Sequence, residues 1–363
     1  MRPEPALTEL ASWISPAERA TSSAFAARFP RAFVTGAAGF IGSHVVLRLL
    51  DAGVEVTCLV APGDPAPSLA GLPVRRVMGD LTRPETYVHH LAGHPVAFHL
   101  AAIYALWLPE PRRMFDVNVG GTRAFLTAAR EAGVPRVVYT SSIAAVGIRP
   151  GEAVSDETEP FADWDVANDY VVSKYIAELE AFACAAPGFD VVAVNPTFPF
   201  GRADRAPTPT GKLVFDVVRG RLPVVVEGGL NVVDVRDVAE GHLLGALHGQ
   251  SGRRYLLGGD NVTFADLAAR VARQAGRNPP RFTAPAAAFI GMGKAAELIS
   301  TRLLRRPPTY TERGVAYTAG RWLWVDTTRA RTELGYAPRP IDAAIARAVD
   351  WFSRWRWDGR PPA

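Results

Sequence analysis

Tyr170 and Lys174 stand four residues apart in DYVVSKYIAE, which on a helix puts both on one face, one turn apart. A phenol titrates near ~10 and is a poor acid or base at neutral pH. An ammonium beside it favours the phenolate and lowers that value, and the same lysine has the reach to hold a ribose hydroxyl. Ser142 ends the apolar run PRVVYTSS, where its hydroxyl can bond a substrate oxygen next to the tyrosine. A Tyr/Lys pair by itself is equally a solvated contact on a long helix. A glycine turn and a strand-end serine precede it in that order, and this makes it a proton-transfer pair.

The glycine turn lies in RAFVTGAAGFIGSHVVLRLLDAG, Arg31 to Gly53. The stretch predicts a buried strand, Ala32 to Thr35, a turn, and a helix to about Asp51. Gly36, Gly39 and Gly42 form G-x-x-G-x-x-G, in which the first glycine permits the tight turn. The others let backbone approach a pyrophosphate and helix pack on sheet. Amides at the helix start, with the helix dipole, then face the phosphates. A purely structural turn is the alternative in a chain rich in Gly and Ala; the strand before and the amphipathic helix after argue for a nucleotide.

Further elements follow in αβ rhythm. Strands are predicted at Val54 to Val60, Pro73 to Asp80, Pro95 to Ala102, Pro135 to Ser142 and Phe189 to Pro196, with helices at Asp116 to Ala132 and Asn168 to Ala186. Nearly all-apolar, valine-rich strands are those of a parallel sheet covered on both faces. The expected fold class is α/β: a Rossmann-type doubly wound parallel sheet with a smaller C-terminal substrate lobe. Residues 1–30 read as an N-terminal extension with helical character (Leu7, Leu10, Trp13 and Ile14 at helical spacing, then Ser15-Pro16-Ala17-Glu18 as a helix start). Residues 31–196 form the dinucleotide-binding domain, and 197–363 mainly the substrate lobe, with 232–258 returning to the Rossmann sheet. Thr263 with Asp266 outlines a capping box. Helices are expected at Phe289 to Leu304 and Ile341 to Trp355.

Composition narrows the function. The chain has 363 residues, 48% hydrophobic, and a net charge of only +4. Its basic residues are scattered apart from Arg302, Arg305 and Arg306 and an arginine-rich tail, so there is no nucleic-acid footprint. Two cysteines, Cys58 and Cys184, fit a reduced cytoplasmic setting, and no CxxC, HExxH or His/Cys cluster supports a metal. No signal peptide and no run of transmembrane length is seen. The seven carboxylates from Glu152 to Asp169 read as a solvated loop.

TGAAGFIGSHVV, GDL (Gly79 to Leu81), HLAA (His99 to Ala102), NVGGT (Asn118 to Thr122), YTSS, YVVSK and NP (Asn195, Pro196) occur in the order of a known family. From about Arg31 to Phe352 the chain resembles extended short-chain dehydrogenases/reductases of the dihydroflavonol-reductase-like branch. AAIYALWLPEPRRMFDVNVGGT, NPTFPFGRADRAPTPTGKL and GLNVVDVRDVAEGHLLG most resemble proteins called hopanoid-associated sugar epimerases. The resemblance implies a catalytic Ser142, Tyr170 and Lys174, with Asn118 kinking its helix and holding a water near the lysine. It implies a dinucleotide held by Gly36, Gly39, Phe40, Ile41 and Gly42, adenine beside Asp80 and Leu81, and ribose beside Ala101 and Ala102. Pro196 would flank the nicotinamide, and Tyr170 and Lys174 would also touch the cofactor. It further implies a homodimer through the 116–132 and 168–186 helices.

Where nucleotide-sugar enzymes of this type carry an arginine before Asp234, this chain has Leu230, Asn231, Val232 and Val233. An apolar stretch cannot neutralise a diphosphate unless Arg202, Arg205 or Arg236 does so. The expected substrate is therefore a small, partly apolar carbonyl or alcohol, interconverted by hydride transfer through the Ser-Tyr-Lys site. Sugar or nucleotide-sugar epimerisation, and a non-catalytic NAD(P)-binding protein, are the alternatives. Ile103, Tyr104, Leu106, Trp107, Phe198, Phe200 and Thr210 read as pocket wall or interlobe core, with Ser142 reaching the substrate. His99 reads as packing and a backbone bond below the adenine. The second strand ends Cys58-Leu59-Val60-Ala61 with no carboxylate before Asp64, so NADP is expected over NAD, with NAD still accepted. Arg48 and Arg83 are the remaining cations near a 2′-phosphate.

Overall fold

In the computed structural model, residues 15–105, 107–303 and 311–355 are described. Seven strands make one parallel sheet: β1 Arg31–Thr35, β2 Glu55–Val60, β3 Arg75–Met78, β4 Val96–His99, β5 Arg136–Thr140, β6 Asp190–Pro196 and β10 Arg254–Leu257. Their order is β10-β6-β5-β4-β1-β2-β3. Phe33 pairs with Thr57 on one side and Ala97 on the other, so β1 is central and the strand order reverses between β1 and β4. In open α/β sheets ligands bind at the carboxyl ends beside such a reversal. Thr35 and His99 end the two strands there.

Both faces of the sheet are covered. Helices α2 (Phe40–Asp51) and α6 (Val235–His248) pack together on one side, where Val45, Val46 and Leu49 meet Val238 and Leu243. On the other side lie α3 and α4 (Asp169–Ala183), with Phe125, Leu126, Ala177 and Ala181 against the sheet. The expected 116–132 helix is α3, and it has three pieces: Arg112–Phe115, a π turn over Asp116–Gly121, and Thr122–Glu131. Single π turns inside α-helices recur at functional sites.

Helix α1 (Pro16–Arg28) opens with a complete capping box, in which Ser15 Oγ accepts from Glu18 N (3.2 Å) and Glu18 Oε2 accepts from Ser15 N (2.7 Å). Phe25 is fully buried in the first lobe's core, and Arg48 of α2 donates to Ser22 Oγ and to the Glu18 carbonyl. From Ser15 onward, then, the extension is part of the first lobe's packing. The helical spacing of Leu7, Leu10, Trp13 and Ile14 falls outside the described residues.

The smaller C-terminal lobe is built on β9 (Gly229–Asp234), flanked by β7 (Phe198–Phe200), β11 (Asp260–Thr263) and β13 (Trp322–Leu323), with β8 (Val224–Val226) paired to β12 (Phe282–Ala284) nearby. Of 232–258, only Arg254–Leu257 enters the seven-stranded sheet; Val232 to Asp234 belongs to this second sheet instead. The reason is β9's period-two pattern. Leu230 and Val232 point into the second lobe's core and Val233 into the first, so β9 is a seam and not a Rossmann strand. Helices α5 (Pro209–Val218), α7 (Phe264–Gln274) and α11 (Asp342–Ser353) complete that core. Thr263 caps α7, but Asp266 turns to Arg270 (2.9 Å) and leaves the capping box half made. The Pro/Ala-rich stretch leads into α8 (Ala286–Leu298), followed by a π turn Ile299–Leu303 and α9 (Glu312–Ala316). The short α10 (Thr328–Leu334) packs beside α6.

Candidate active site

The glycine turn is closed by contacts that admit no side chain. Gly36 has φ +67°, and a Cβ there would stand 2.6 Å from Ala101 N; one at Gly42 would stand 2.1 Å from Gly36 O. Gly39 is the N-cap of α2 with no side-chain cap, so the first amides of a 12-residue helix are left for a ligand. Thr35 Oγ1 accepts from the amides of Leu100 and Ala101, tying the exit of β4 to that of β1. Phe40 and Ile41 are half-buried at the helix start, and Ala102 is exposed beyond β4. Asp80 turns its carboxylate to Thr82, and Leu81 is buried against Gly121 of the π turn. The cofactor candidates therefore line one edge of the sheet.

Asn118 sits in that π turn and behaves like a peptide group. Its Oδ1 accepts from Ile103 N (2.7 Å), and its Nδ2 donates to Ile103 O and to Ser173 Oγ (both 3.0 Å). It thereby fixes the loop after β4 to α4. His99 is buried between two threonines, with Nδ1 2.7 Å from Thr35 Oγ1 and Nε2 3.0 Å from Thr122 Oγ1. These partners are side chains rather than the expected backbone group. Burial, reinforced by the Lys174 charge, drives its pKa down to about 3, so the ring is neutral.

Helix α4 begins at Asn168, whose side chain accepts from Val171 N, and its first turns bring Tyr170 and Lys174 to the end of β5. Burial pushes Tyr170 up to about 12, and a hydrogen bond with Ser142 draws it back. Lys174 is 3% exposed, and burial lowers it to about 7 against the pull of Glu178. Its Nζ donates to the Thr140 carbonyl (2.7 Å) and the Tyr139 hydroxyl (3.0 Å). The expected lysine effect on Tyr170 is thus absent from this geometry. The two side chains share a face, but the longer one runs inward beneath the strand end, while Tyr170 meets Ser142.

Two residues not singled out by sequence complete this arrangement. Glu178 follows Lys174 by four positions, fully buried, with Arg254 Nη2 2.8 Å from Oε1 and Asn195 Nδ2 2.6 Å from Oε2. Asn195 also donates to the Ser142 carbonyl (3.0 Å), so β6 supports the serine's backbone. The i, i+4, i+8 series Tyr170, Lys174, Glu178 was the available signal. Tyr317, buried at the end of α9 within electrostatic reach of Tyr170, had none.

Tyr104 lies over Tyr170 with ring centroids 4.6 Å apart. Trp107 and Phe198 are half-buried, and Phe198 packs on the same cluster as Tyr170. Phe200 and Thr210 are buried in the second lobe, and Leu106 lies outside the described residues. Pro196 ends β6, paired with Leu257. Leu230 to Val233 are buried core, so their apolar character follows from packing rather than from ligand choice. Arg202 pairs with Asp350, Arg236 with Asp234 (3.0 Å), and Arg205 stacks over Trp351 (5.6 Å). The acidic run is not wholly solvated: Asp163 meets Arg321 (2.5 Å) and Glu157 accepts from Leu256 N (2.9 Å), both buried.

A doubly wound sheet with a glycine turn at its switch point and a smaller second lobe defines a dinucleotide-binding enzyme of the extended short-chain dehydrogenase/reductase type. The pattern described as "NAD dependent epimerase/dehydratase family" matches residues 32–258, and the chain belongs to that family. A Synechocystis protein provisionally named dihydroflavonol 4-reductase is 37% identical over 88% of this chain and 94% of its own. Sterol demethylase protein B of Methylococcus capsulatus is 33% identical over 88% and 97%. The crystal structure of gox2253 superposes with a TM-score of 0.79 at 38% identity, covering 89% of this chain and 98% of that one. PA4631, a nucleoside-diphosphate-sugar epimerase from Pseudomonas aeruginosa, gives 0.73 at 25%, covering 89% and 97%.

The expected preference for NADP is overturned. Among the solved structures sharing the fold, the dTDP-glucose 4,6-dehydratase DesIV of Streptomyces venezuelae (24% identity, TM-score 0.72) holds NAD. So does the UDP-glucose 4-epimerase of Thermus thermophilus (23%, 0.70). The two cations considered beside a 2′-phosphate are engaged elsewhere in the chain. Arg48 is buried, with Nε 2.6 Å from Glu240, and Arg83 pairs with Glu85 (3.6 Å) in the open. Asp64 closes its own turn by accepting from Ala66 N (2.8 Å).

Proposed function

We propose that this enzyme moves a hydride between the nicotinamide of NAD and a carbinol or carbonyl carbon of a small, partly apolar substrate. In the reducing direction Tyr170 donates its proton to the carbonyl oxygen while Ser142 bonds the developing oxyanion. Lys174 holds the ribose, and Asn118 fixes the loop over the cofactor. Gly36, Gly39, Phe40, Ile41, Gly42, Asp80, Leu81, Ala101, Ala102 and Pro196 form the cofactor edge. Tyr104, Trp107 and Phe198 flank the substrate. The dinucleotide supplies the hydride; the side chains only bind, orient and transfer protons. The single observation that carries this reading is the convergence at the end of β5 of Ser142, near enough to draw down the pKa of Tyr170, with Lys174 buried one turn on and bonded to the Thr140 carbonyl.

A substrate that is apolar rather than a diphosphate is supported by the carboxylate partners of Arg202 and Arg236. The second reading is epimerisation, in which the same residues oxidise a carbinol and return the hydride to the other face of the keto carbon. The family's description and the solved epimerases and dehydratases favour it over net reduction. The resemblance to hopanoid-associated sugar epimerases belongs with this reading. The assembly proposed is a homodimer through α3 and α4, where Leu179 is exposed. A panel of ketones, alcohols and sugar nucleotides, followed for cofactor absorbance and for epimer formation, tests both readings. Net NADH consumption supports reduction, epimers without consumption support epimerisation, and neither product with any of the panel overturns both.

A further inference from the structure

The most apolar exposed helix of the molecule is not at the cofactor. In α8, AAAFIGMGKAAEL, only Gly293 is buried. Its inward face is set by Gly293, whose missing side chain leaves room for Val315 of α9, and by Glu297, which accepts from Glu312 N (2.9 Å). The opposite stripe runs Ala288, Met292, Ala295, Ile299 and Arg302 at helical spacing, all exposed. Met292 is 56% exposed, Leu298 52% and Ile299 48%, and Phe282 on the strand leading into the helix is 68% exposed. Large apolar side chains grouped in this way mark an interaction surface.

Charge identifies the partner. Between Arg273 and Arg313 the sequence has eight Lys/Arg and two Glu, a formal +6 in a chain whose total is +4. The rest of the sequence is therefore net negative, and along the chain the positive charge is concentrated in the stretch that carries this helix, with Arg305 and Arg306 lying outside the described residues. Both carboxylates turn to the seam between α8 and α9: Glu297 as above, and Glu312 toward Lys294 (3.7 Å). The exposed Lys294 and Arg302 beside these exposed apolar side chains suit contact with a lipid surface, the apolar side chains among acyl chains and the cations at anionic headgroups. Among the described residues no helix is long and apolar enough to cross a membrane, so the contact would be peripheral.

We propose that α8 docks the substrate lobe on an anionic lipid surface. Helix α9, which packs on the inner side of α8, ends at the buried Tyr317. Uptake of a substrate from that bilayer rests on the partly apolar substrate proposed above; the docking itself does not.

The test is sedimentation of the full chain with vesicles of phosphatidylcholine, with and without phosphatidylglycerol, in the absence of substrate. Binding to the anionic vesicles alone, weakened by salt, is expected. Met292→Glu with Ile299→Glu, and separately Lys294→Glu with Arg302→Glu, should each lower partitioning by about tenfold or more. Thermal midpoint and NADH affinity should stay unchanged, since these side chains are exposed. No binding to anionic vesicles overturns the proposal. So does a wild-type assembly in solution that M292E/I299E disperses, which would make the stripe a contact between copies, and so does equal retention by the charge-reversed variant. Because no substrate is present, failure here leaves the substrate reading to stand or fall on its own panel.

Discussion

Glu178→Gln isolates the electrostatic support of Lys174 without changing side-chain volume. Side chains four residues apart on a helix stand ~5–6 Å from one another, and unit charges at ~6 Å with an effective dielectric of ~20 interact by ~3 kcal/mol. That is about two pH units, and Arg254 shares the carboxylate, so we expect about half: a displacement of about one unit. Burial already holds Lys174 down at about 7, with Glu178 pulling it upward. Removing the anion lowers it further, so at neutral pH the ammonium fraction falls from about half to about a tenth. If the ammonium is the working form, the limb of the pH–rate profile that falls as Lys174 deprotonates should move about one unit toward acid. The assay is single-turnover hydride transfer across that range, with a thermal melt of each variant. Arg254 loses its partner, so a stability loss of about 3 kcal/mol should accompany the shift. Glu178→Asp keeps the charge and should restore the limb. An unmoved pH profile in a destabilised E178Q protein would refute the reasoning and leave Glu178 as a mere anchor for Arg254.

Tyr170→Phe removes the proton donor but leaves the glycine turn intact. Hydride transfer should fall by ~100- to 10,000-fold with NADH affinity nearly unchanged; full retention of rate would sink the assignment. Gly42→Ala places a methyl group 2.1 Å from Gly36 O, so NADH affinity measured by fluorescence titration should drop by more than about tenfold, ~1.4 kcal/mol. Arg48→Ala strips Glu240 of its partner and α1 of two hydrogen bonds, and should cost ~3–5 kcal/mol in denaturant unfolding. Light scattering should return a dimer at micromolar concentration, and a monomer would remove α3 and α4 as the seam.

What the sequence made legible is what is local. The turn around Gly36, the strand ending at Thr140 and the helix from Asp169 each depend on residues within a few positions of one another. The rest depends on where long side chains go once the lobes are packed. Lys174 shares a face with Tyr170 by helical spacing, but nothing in YVVSK tells that its amine reaches Tyr139 and Thr140. Arg48 follows the glycine turn as a phosphate ligand might, yet its target is set by α1, more than twenty residues upstream and absent from the motif. The expected kink of the 116–132 helix at Asn118 takes the form of a π turn, in which Asn118 binds Ile103 across the loop, a partner that lies outside the helix's own pattern. Leu230 to Val233 misled for the same reason. In sequence the apolar run points to the ligand site, whereas period-two burial of Leu230, Val232 and Val233 between two cores explains it.

The misreading of β9 shifts where substrate choice must be sought. A diphosphate needs cations with unspent charge, so the relevant comparison is between each arginine and its carboxylate, not between residue types at one strand position. Asp234 is buried and holds both Arg236 and Arg347, and Asp350 holds both Arg202 and Arg354 (2.8 Å). These carboxylates keep below the ordinary aspartate range because the guanidinium groups outweigh the cost of burying them. Gripping a diphosphate with Arg236 would require breaking its pair with buried Asp234, which the desolvation of the carboxylate left behind opposes, whereas Arg202 would have to leave the half-exposed Asp350, a smaller cost. An apolar or uncharged substrate asks for no such exchange. On the reading proposed above, discrimination would then fall to aromatic surfaces such as Tyr104, its ring beside that of Tyr170, more than to any single cation.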